Sequence, residues 1–150
     1  RSYGGQDKSS GVTPGVLLLS EVISFNAAAA AVNLTPVRIG TSATAGSTFV
    51  LPAGAIPVSF SVVAASTGGG STVDIGTTAD VDGFFNEVAS VTKGTLKGAD
   101  GALVIPAGIP ANATVAASVG AGAGTGTVTG VFTYTVVDNA RAGESQPELD

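Results

Sequence analysis

Residues 56–64, with the sequence Ile-Pro-Val-Ser-Phe-Ser-Val-Val-Ala, alternate between apolar and small polar side chains. Successive side chains of a β-strand point to opposite faces, so a period of two predicts a strand that buries one face and leaves the other in water. The predicted buried face consists of Ile56, Val58, Phe60, Val62 and Ala64, with Ser59 and Ser61 opposite. This stretch therefore predicts a β-strand packed on a hydrophobic core.

The same period recurs along most of the chain. Val128, Phe132, Tyr134 and Val136 alternate with threonines, and Ala and Val alternate with Thr and Ser over residues 113–119. β-Branched side chains, which favour pleated structure, dominate these runs. Clusters of Gly, Pro and Asp, which are typical of turns, separate them. The spacing predicts about eight or nine short strands, as in an all-β sandwich or barrel.

The two ends of the chain differ from its middle. The first 15 residues are polar and rich in Gly and Ser, which predicts an extended arm, either a disordered leader or a strap that becomes ordered on a partner. We assign residues 1–45 to an N-terminal arm and leading strands, residues 46–138 to a β-sandwich core, and residues 139–150 to a short, polar, acidic C-terminal tail. A chain of 150 residues fits a single domain.

One short sequence occurs twice in similar form. Residues 49–57, Phe-Val-Leu-Pro-Ala-Gly-Ala-Ile-Pro, resemble residues 103–110, Leu-Val-Ile-Pro-Ala-Gly-Ile-Pro. Each copy predicts a strand that ends in a Pro-Ala-Gly corner, because Pro lacks a backbone N–H and Gly accepts turn conformations. Two explanations stay open, namely convergence on the same corner chemistry and an internal duplication.

The composition restricts the possible functions. Charged residues make up 11 % of the chain, whereas about 25 % is usual, and the mean hydropathy is +0.45. The net charge of −5 argues against a nucleic-acid partner, and no run approaches the ~18 apolar residues of a membrane-spanning helix. We therefore expect part of the apolar surface to be buried against other chains.

The residues available for chemistry are few. His and Cys are absent, which removes the commonest general base and the commonest ligands of transition metals. Asp80 and Asp82, followed by Gly83, resemble part of a calcium loop, but the later ligand positions hold Phe84 and Ala89. A turn explains these carboxylates better than a cation site or a glycosidase pair. We expect no catalytic residue, no metal site and no cofactor.

Five residues are the predicted contacts between chains. Tyr3 and Lys8 lie in the predicted arm, and Arg38 lies in the leading segment. Phe84 and Phe85 are adjacent, so in a strand one ring fills the core while the other is exposed or covered by a partner. The alternative for this pair is a loop that caps one end of the sandwich.

Two longer stretches resemble a known group of proteins. The first comprises residues 48–55 (Thr-Phe-Val-Leu-Pro-Ala-Gly-Ala), 58–62, 73–77 (Val-Asp-Ile-Gly-Thr) and 80–84 (Asp-Val-Asp-Gly-Phe), and the second comprises residues 125–136. They are similar to the small β-sandwich proteins of tailed-bacteriophage virions, which are head decoration (cement) proteins and related head-fibre domains. The resemblance spans about residues 46–137 and contains no catalytic motif. Residues 1–45 and the acidic tail have no counterpart in it.

The resemblance implies a jelly-roll-like sandwich that forms a homotrimer. It also implies a place on the outer surface of an icosahedral head, where major capsid proteins meet, and a mechanical function in resisting the pressure of packaged DNA. The expected partners are further copies of the chain and the major capsid protein. The alternative is a receptor- or carbohydrate-binding β-sandwich of a tail fibre or a bacterial surface adhesin, although an aromatic content of 5 % offers few platforms for sugars.

Overall fold

The computed structural model describes residues 18–27, 31–37, 48–65, 72–88, 92–121 and 126–137, and these ranges contain strands and turns but no helix. The strands in chain order are β1 (Leu18–Asn26), β2 (Val32–Asn33), β3 (Thr35–Pro36), β4 (Val50–Leu51), β5 (Ala55–Ala65), β6 (Thr72–Gly76), β7 (Phe85–Val88), β8 (Leu96–Gly98), β9 (Ala113–Thr114), β10 (Ala116–Ala121) and β11 (Thr127–Val136). The prediction of an all-β fold is confirmed.

The strands form three antiparallel sheets. The five-stranded sheet has the order β3–β1–β11–β5–β8, the four-stranded sheet has the order β2–β10–β6–β7, and β9 pairs with β4. The two larger sheets contribute buried side chains to one hydrophobic core. The architecture is that of a β-sandwich.

A cluster of aromatic rings joins the two sheets. The Phe132 ring of β11 lies 5.3 Å from the Phe85 ring of β7 and 5.2 Å from the Phe49 ring, both edge-on. Phe60 of β5 is 6.1 Å from Phe85. These side chains are almost completely buried, and tilted or edge-to-face pairs at such distances add to the free energy gained by burying apolar area.

The first described strand is part of the core. β1 pairs with β11 along its whole length, from Leu18 opposite Thr135 to Asn26 opposite Thr127, and its Ile23 and Phe25 are buried. The segment assigned to the arm and leading strands thus contributes a strand to the sandwich core from residue 18 onward. The predicted arm, residues 1–15, and the predicted tail, residues 139–150, lie outside the described residues.

The alternation that predicted β5 is interrupted twice. The register between β5 and β11 shifts next to Val58 and next to Val63, which are 42 % and 46 % exposed. Each shift inserts one extra residue into β5, so the residues beyond it change faces. The buried face predicted for this strand is therefore correct at Phe60 and Val62 and wrong at Ile56, Val58 and Ala64.

The two Pro-Ala-Gly corners pack against each other. The Gly54 N–H donates to the Ile109 carbonyl oxygen (2.8 Å), and the Ile109 N–H donates to the Ala55 carbonyl oxygen (3.0 Å). Gly108 has φ +77°, and a Cβ there would overlap the backbone of Gly54. Gly54 is the third residue of its turn, whereas Gly108 is the fourth residue of its own. The two similar sequences therefore form different turns that meet at one end of the sandwich.

Candidate interaction face

The outer face of the five-stranded sheet is the largest regular surface of the described chain. Because Ile23, Phe25 and Phe132 point into the core, the alternate residues of β1 and β11 point outward. We call this surface the uncharged face. Its outward positions are Leu18, Ser20, Val22, Ser24 and Asn26 on β1, Thr127, Thr129, Val131, Thr133 and Thr135 on β11, Ile56, Ser59, Ser61 and Ala64 on β5, Thr35 on β3 and Leu96 on β8.

None of these outward positions holds a charged side chain. Glu21 of β1 lies opposite the buried Phe132, and Lys97 of β8 lies opposite the buried Phe60, so both point to the other side of the sheet. Lys93 lies in the turn that precedes β8, at the margin of the face. The face is therefore covered by hydroxyl, amide and aliphatic groups.

The polar groups of the uncharged face bond to one another across the strands. The Ser20 and Thr133 hydroxyls are 3.1 Å apart, the Thr127 hydroxyl donates to Asn26 Oδ1 (3.2 Å), and the Thr129 hydroxyl donates to Ser24 Oγ (3.4 Å). A polar group that already has a hydrogen-bond partner loses less free energy when water is removed from it. These pairs make the face easier to dehydrate than its polar composition suggests.

A row of aliphatic side chains crosses the middle of the uncharged face. Val22 lies opposite Val131, and the Val37 N–H donates to the Val22 carbonyl oxygen (2.8 Å). Val37, Val22 and Leu96 are 42 %, 40 % and 70 % exposed. Val37, just after β3, neighbours Val22 of β1, and Val22 neighbours Val131 of β11, whereas Ser61 separates Val131 from Leu96. Neighbouring exposed aliphatic groups are typical of interaction sites.

The outer side of the four-stranded sheet has the opposite character. Asp74 lies on β6 and Glu87 on β7, and the loop between these strands carries Asp80 and Asp82. We call these four carboxylates the acidic face. The Glu87 N–H, at a residue with φ 59°, donates to Asp74 Oδ1 (2.9 Å). The two outer surfaces of the sandwich thus differ sharply in charge.

The loop with Asp80 and Asp82 is a hydrogen-bonded turn, as predicted. Thr77 and Asp80 exchange backbone hydrogen bonds, and the Asp80 N–H is also 3.1 Å from the Thr77 hydroxyl. The side chain that bonds to the backbone within this turn is therefore that of Thr77. Among the described residues, no three His, Cys, Asp or Glu side chains are grouped closely enough to hold a metal ion.

Asp80 and Asp82 are close enough to influence each other. A hydrogen bond with the Asp82 carboxyl raises the pKa of Asp80 above its ordinary value, with smaller contributions from burial and from the negative charge of Asp82. Two adjacent carboxylates repel when both are ionised. The pair is therefore a small source of electrostatic strain at neutral pH.

Asp100 connects the edges of the two sheets. Its Oδ1 accepts a hydrogen bond from the Asn86 N–H of β7 (2.9 Å), and its Oδ2 lies 2.8 Å from Lys97 Nζ of β8. Partial burial disfavours the ionised form, but the Asn86 N–H and the Lys97 ammonium outweigh it and hold the pKa of Asp100 below its ordinary value. This carboxylate links strands that belong to different sheets.

The structure corrects the prediction for the paired aromatics. Phe84 and Phe85 are both completely buried, so neither is an exposed contact residue. Phe84 precedes β7 and its N–H donates to the Ile75 carbonyl oxygen (3.0 Å), so strand alternation begins only at Phe85. Both rings can therefore enter the core. The other three predicted contacts, Tyr3, Lys8 and Arg38, lie outside the described residues.

The sequence contained a signal for the uncharged face. The threonines of β11 and the serines of β5 alternate with core residues, which predicts a water-facing side. The β1 residues Ser20, Val22 and Ser24 complete the same surface, which the local pattern of β1 does not predict. Its assignment needed the pairing between β1 and β11, which joins distant parts of the chain.

Comparison with known proteins gives no relative. No family model matches the chain, and neither a curated protein nor a solved structure resembles it closely enough to count as a match. In the part of the chain that the structure describes, there is no helix of the length and apolarity required to cross a membrane.

Proposed function

We propose that this chain is a non-enzymatic structural protein of a virion. In this proposal it decorates the outer surface of an icosahedral head of a tailed bacteriophage, as a homotrimer bound where major capsid proteins meet, and it stabilises the head. The observation that supports the proposal best is the uncharged face, a regular surface of hydroxyl and aliphatic groups on a chain with a net charge of −5. Depletion of charge is typical of the buried centre of protein interfaces.

The strand order supports the jelly-roll form of the sandwich. When the separate pair β4–β9 and the edge strand β3 are set aside, the remaining strands pair in nested fashion. The first pairs with the last (β1–β11), the second with the last but one (β2–β10), β5 with β8, and β6 with β7. Such nesting is what a long antiparallel ribbon adopts when it is rolled into two sheets, as in jelly rolls of capsid proteins.

The mechanical function follows from simultaneous contacts. A protein that touches several neighbours at once adds their binding free energies through a high effective concentration, so that weak individual contacts hold permanently. A wide face that can be dehydrated suits such contacts, because few charges must lose their hydration. The alternative of a receptor- or carbohydrate-binding module requires instead a concave site with placed polar groups.

Electron microscopy of particles from the source of this sequence tests the proposal. Antibodies raised against the purified chain should label the outer surface of phage heads at regular positions. Label confined to tail fibres or to a bacterial surface would support the binding-module alternative, and particles without label would contradict the proposal. A second measurement is the heat resistance of heads stripped of the protein, which should increase when the purified chain is added back.

A further inference from the structure

We propose that the uncharged face is a self-association surface, covered in solution by a second copy of this chain. The inference rests on the proposed function and deepens it, because it names the partner of a particular surface. A contact between two like faces is two-fold and joins copies in pairs, so it is additional to the contacts that would close the homotrimer. It concerns the purified protein before any contact with a larger particle.

The distribution of charge favours a second copy over other occupants. Two copies of a chain with net charge −5 repel each other, and the acidic face, with Asp74 and Glu87, would bring like charges together. Between two uncharged faces this repulsion is smaller, because no outward position of the face is acidic. Glu21 of β1 points to the other side of its sheet, and Asp74 and Glu87 lie on the other sheet. Two copies can therefore approach through the uncharged face with less opposition than through the acidic face.

The area of the face is sufficient for a specific contact. Its three long strands, β1, β11 and β5, have 9, 10 and 11 residues. With strands about 4.8 Å apart and a rise of about 3.3 Å per residue, these strands and the short edges β3 and β8 cover about 550 Å². Two such faces would together bury about 1,100 Å², which is just above the roughly 1,000 Å² expected of a specific interface.

The chemistry of the face suits contact with another protein surface of the same kind. The hydroxyl pairs Ser20–Thr133 and Thr129–Ser24 satisfy one another within each copy, so their burial leaves few polar groups unpaired. The aliphatic row through Val22 and Val131 lies at the centre, where water would be excluded most completely. The apolar part of the contact would therefore be surrounded by polar pairs that need no partner from the other copy.

The β7 edge of the four-stranded sheet is poorly suited to association. The Asn86 N–H donates to Asp100 Oδ1 (2.9 Å), and the Glu87 N–H donates to Asp74 Oδ1 (2.9 Å) on the neighbouring strand β6. Asp100 therefore occupies one backbone donor of this short edge strand and places a charge beside it, which disfavours pairing with another chain.

The first test is the oligomeric state of purified variants by sedimentation velocity. The unmodified chain should sediment as an oligomer, and Val131→Lys should weaken its association by about 100-fold or more, because it places a charge in the centre of the contact. Asn86→Lys, a matched change on the exposed part of β7, should leave the oligomer unchanged. Circular dichroism establishes that both variants fold. A monomeric unmodified chain at high concentration would overturn the inference.

Cysteine protection provides a second test that does not depend on a charged variant. Since the chain has no Cys, Thr133→Cys and Asn86→Cys each carry a single thiol, one on the uncharged face and one on the opposite sheet. A maleimide should modify the thiol at position 133 at least about tenfold more slowly than the thiol at position 86, and dilution should remove the difference. Equal rates at high concentration would overturn the inference.

The two proposals can fail separately. If the thiol at position 133 is protected only after phage heads are added, the shell and not a second copy covers the face, which overturns this inference and supports the proposed function. If the isolated chain is protected but does not bind heads or label virions, self-association is correct and the proposed function is wrong.

Discussion

The two outer surfaces of the sandwich rest on the same core but have opposite chemistry. The five-stranded sheet presents Ser, Thr and Val, and the four-stranded sheet presents Asp74 and Glu87 with the Asp80–Asp82 loop beside them. The inner positions of both sheets are constrained by packing, whereas the outer positions are not. The difference in charge between the two surfaces is therefore not a consequence of packing, and the proposed self-association assigns it to contact on one side and to water on the other.

The largest expected effect tests whether the contrast between inner and outer positions is real within one strand. Phe132 and Val131 are neighbours on β11, but Phe132 is fully buried among four aromatic rings whereas Val131 points outward. We expect Phe132→Ala to lower the free energy of unfolding by about 3–5 kcal/mol, because a cavity forms between the sheets. Val131→Ala should lower it by less than about 1 kcal/mol.

Urea denaturation, followed by far-ultraviolet circular dichroism, measures both values. Comparable losses for the two variants would mean that the outward position is as constrained as the core position, and the comparison would fail. Because Phe132 contacts residues from both sheets, the Phe132→Ala protein should still unfold in one transition.

A smaller effect is expected where a carboxylate connects the two sheets. Asp100→Ala removes the hydrogen bond to the Asn86 N–H and the ion pair with Lys97, and should reduce stability by about 1 kcal/mol at neutral pH. Lys97→Gln, which removes the cation alone, should have a smaller effect because this pair is largely exposed to solvent.

The pH dependence of the Asp100 effect has a defined sign. The pKa of Asp100 is lowered from its ordinary value of 3.8 in the folded protein, so its stabilisation is complete above that pH and is lost as the pH falls through the folded value. The melting temperatures of the unmodified chain and of Asp100→Ala, measured between pH 7 and pH 2, should converge in acid. A difference that grows on acidification would contradict this assignment.

The hydroxyl pairs of the uncharged face should contribute little to the stability of one copy. The double variant Ser20→Ala with Thr133→Val removes both partners of one pair, and paired removal at an exposed site should change the free energy of unfolding by no more than about 0.5 kcal/mol. Urea denaturation at low protein concentration is the appropriate measurement. A loss above 1–2 kcal/mol would show that the pairs hold the sheet together, in which case they are not evidence for an external contact.

The smallest effect is expected in the loop beside the acidic face. The pKa of Asp80 is raised, first by the hydrogen bond with Asp82, so ionisation of Asp80 disfavours the folded state above its ordinary pKa. Asp80→Asn should therefore increase the melting temperature slightly at pH 7. At pH 2–3, where the carboxyl is protonated in both states, it should have no effect. A decrease at pH 7 would mean that the Asp80 carboxylate stabilises the loop.

Much of the fold could be predicted from local alternation, and the exceptions have physical causes. The alternation at Phe60 and Val62 identified the core side of β5, but the extra residues Val58 and Val63 reverse the faces around them, and a bulge leaves no distinct mark in an apolar run. The prediction for the adjacent aromatics is wrong because Phe84 lies in a bend before β7, where side chains do not alternate.

The candidate face was less predictable because it depends on distant pairing. Thr133 and Ser20 are 113 positions apart, and no local property of either residue indicates that they meet. The outward Thr residues alone are equally typical of a sheet that faces water. The juxtaposition of three long strands, each without an outward charge, is what makes this face a candidate contact surface.

The central position of β11 has a consequence for biosynthesis. Residues 127–136 are the last described strand to be translated, yet β1 and β5 are joined only through them. At about 5–20 residues per second, the ribosome needs on the order of ten seconds to deliver Thr133 after Ser20 has been made. During that interval Phe25 of β1 and Phe60 of β5 lack the strand that holds β1 and β5 in one sheet, so nascent chains are exposed to mispairing with one another until β11 has been made.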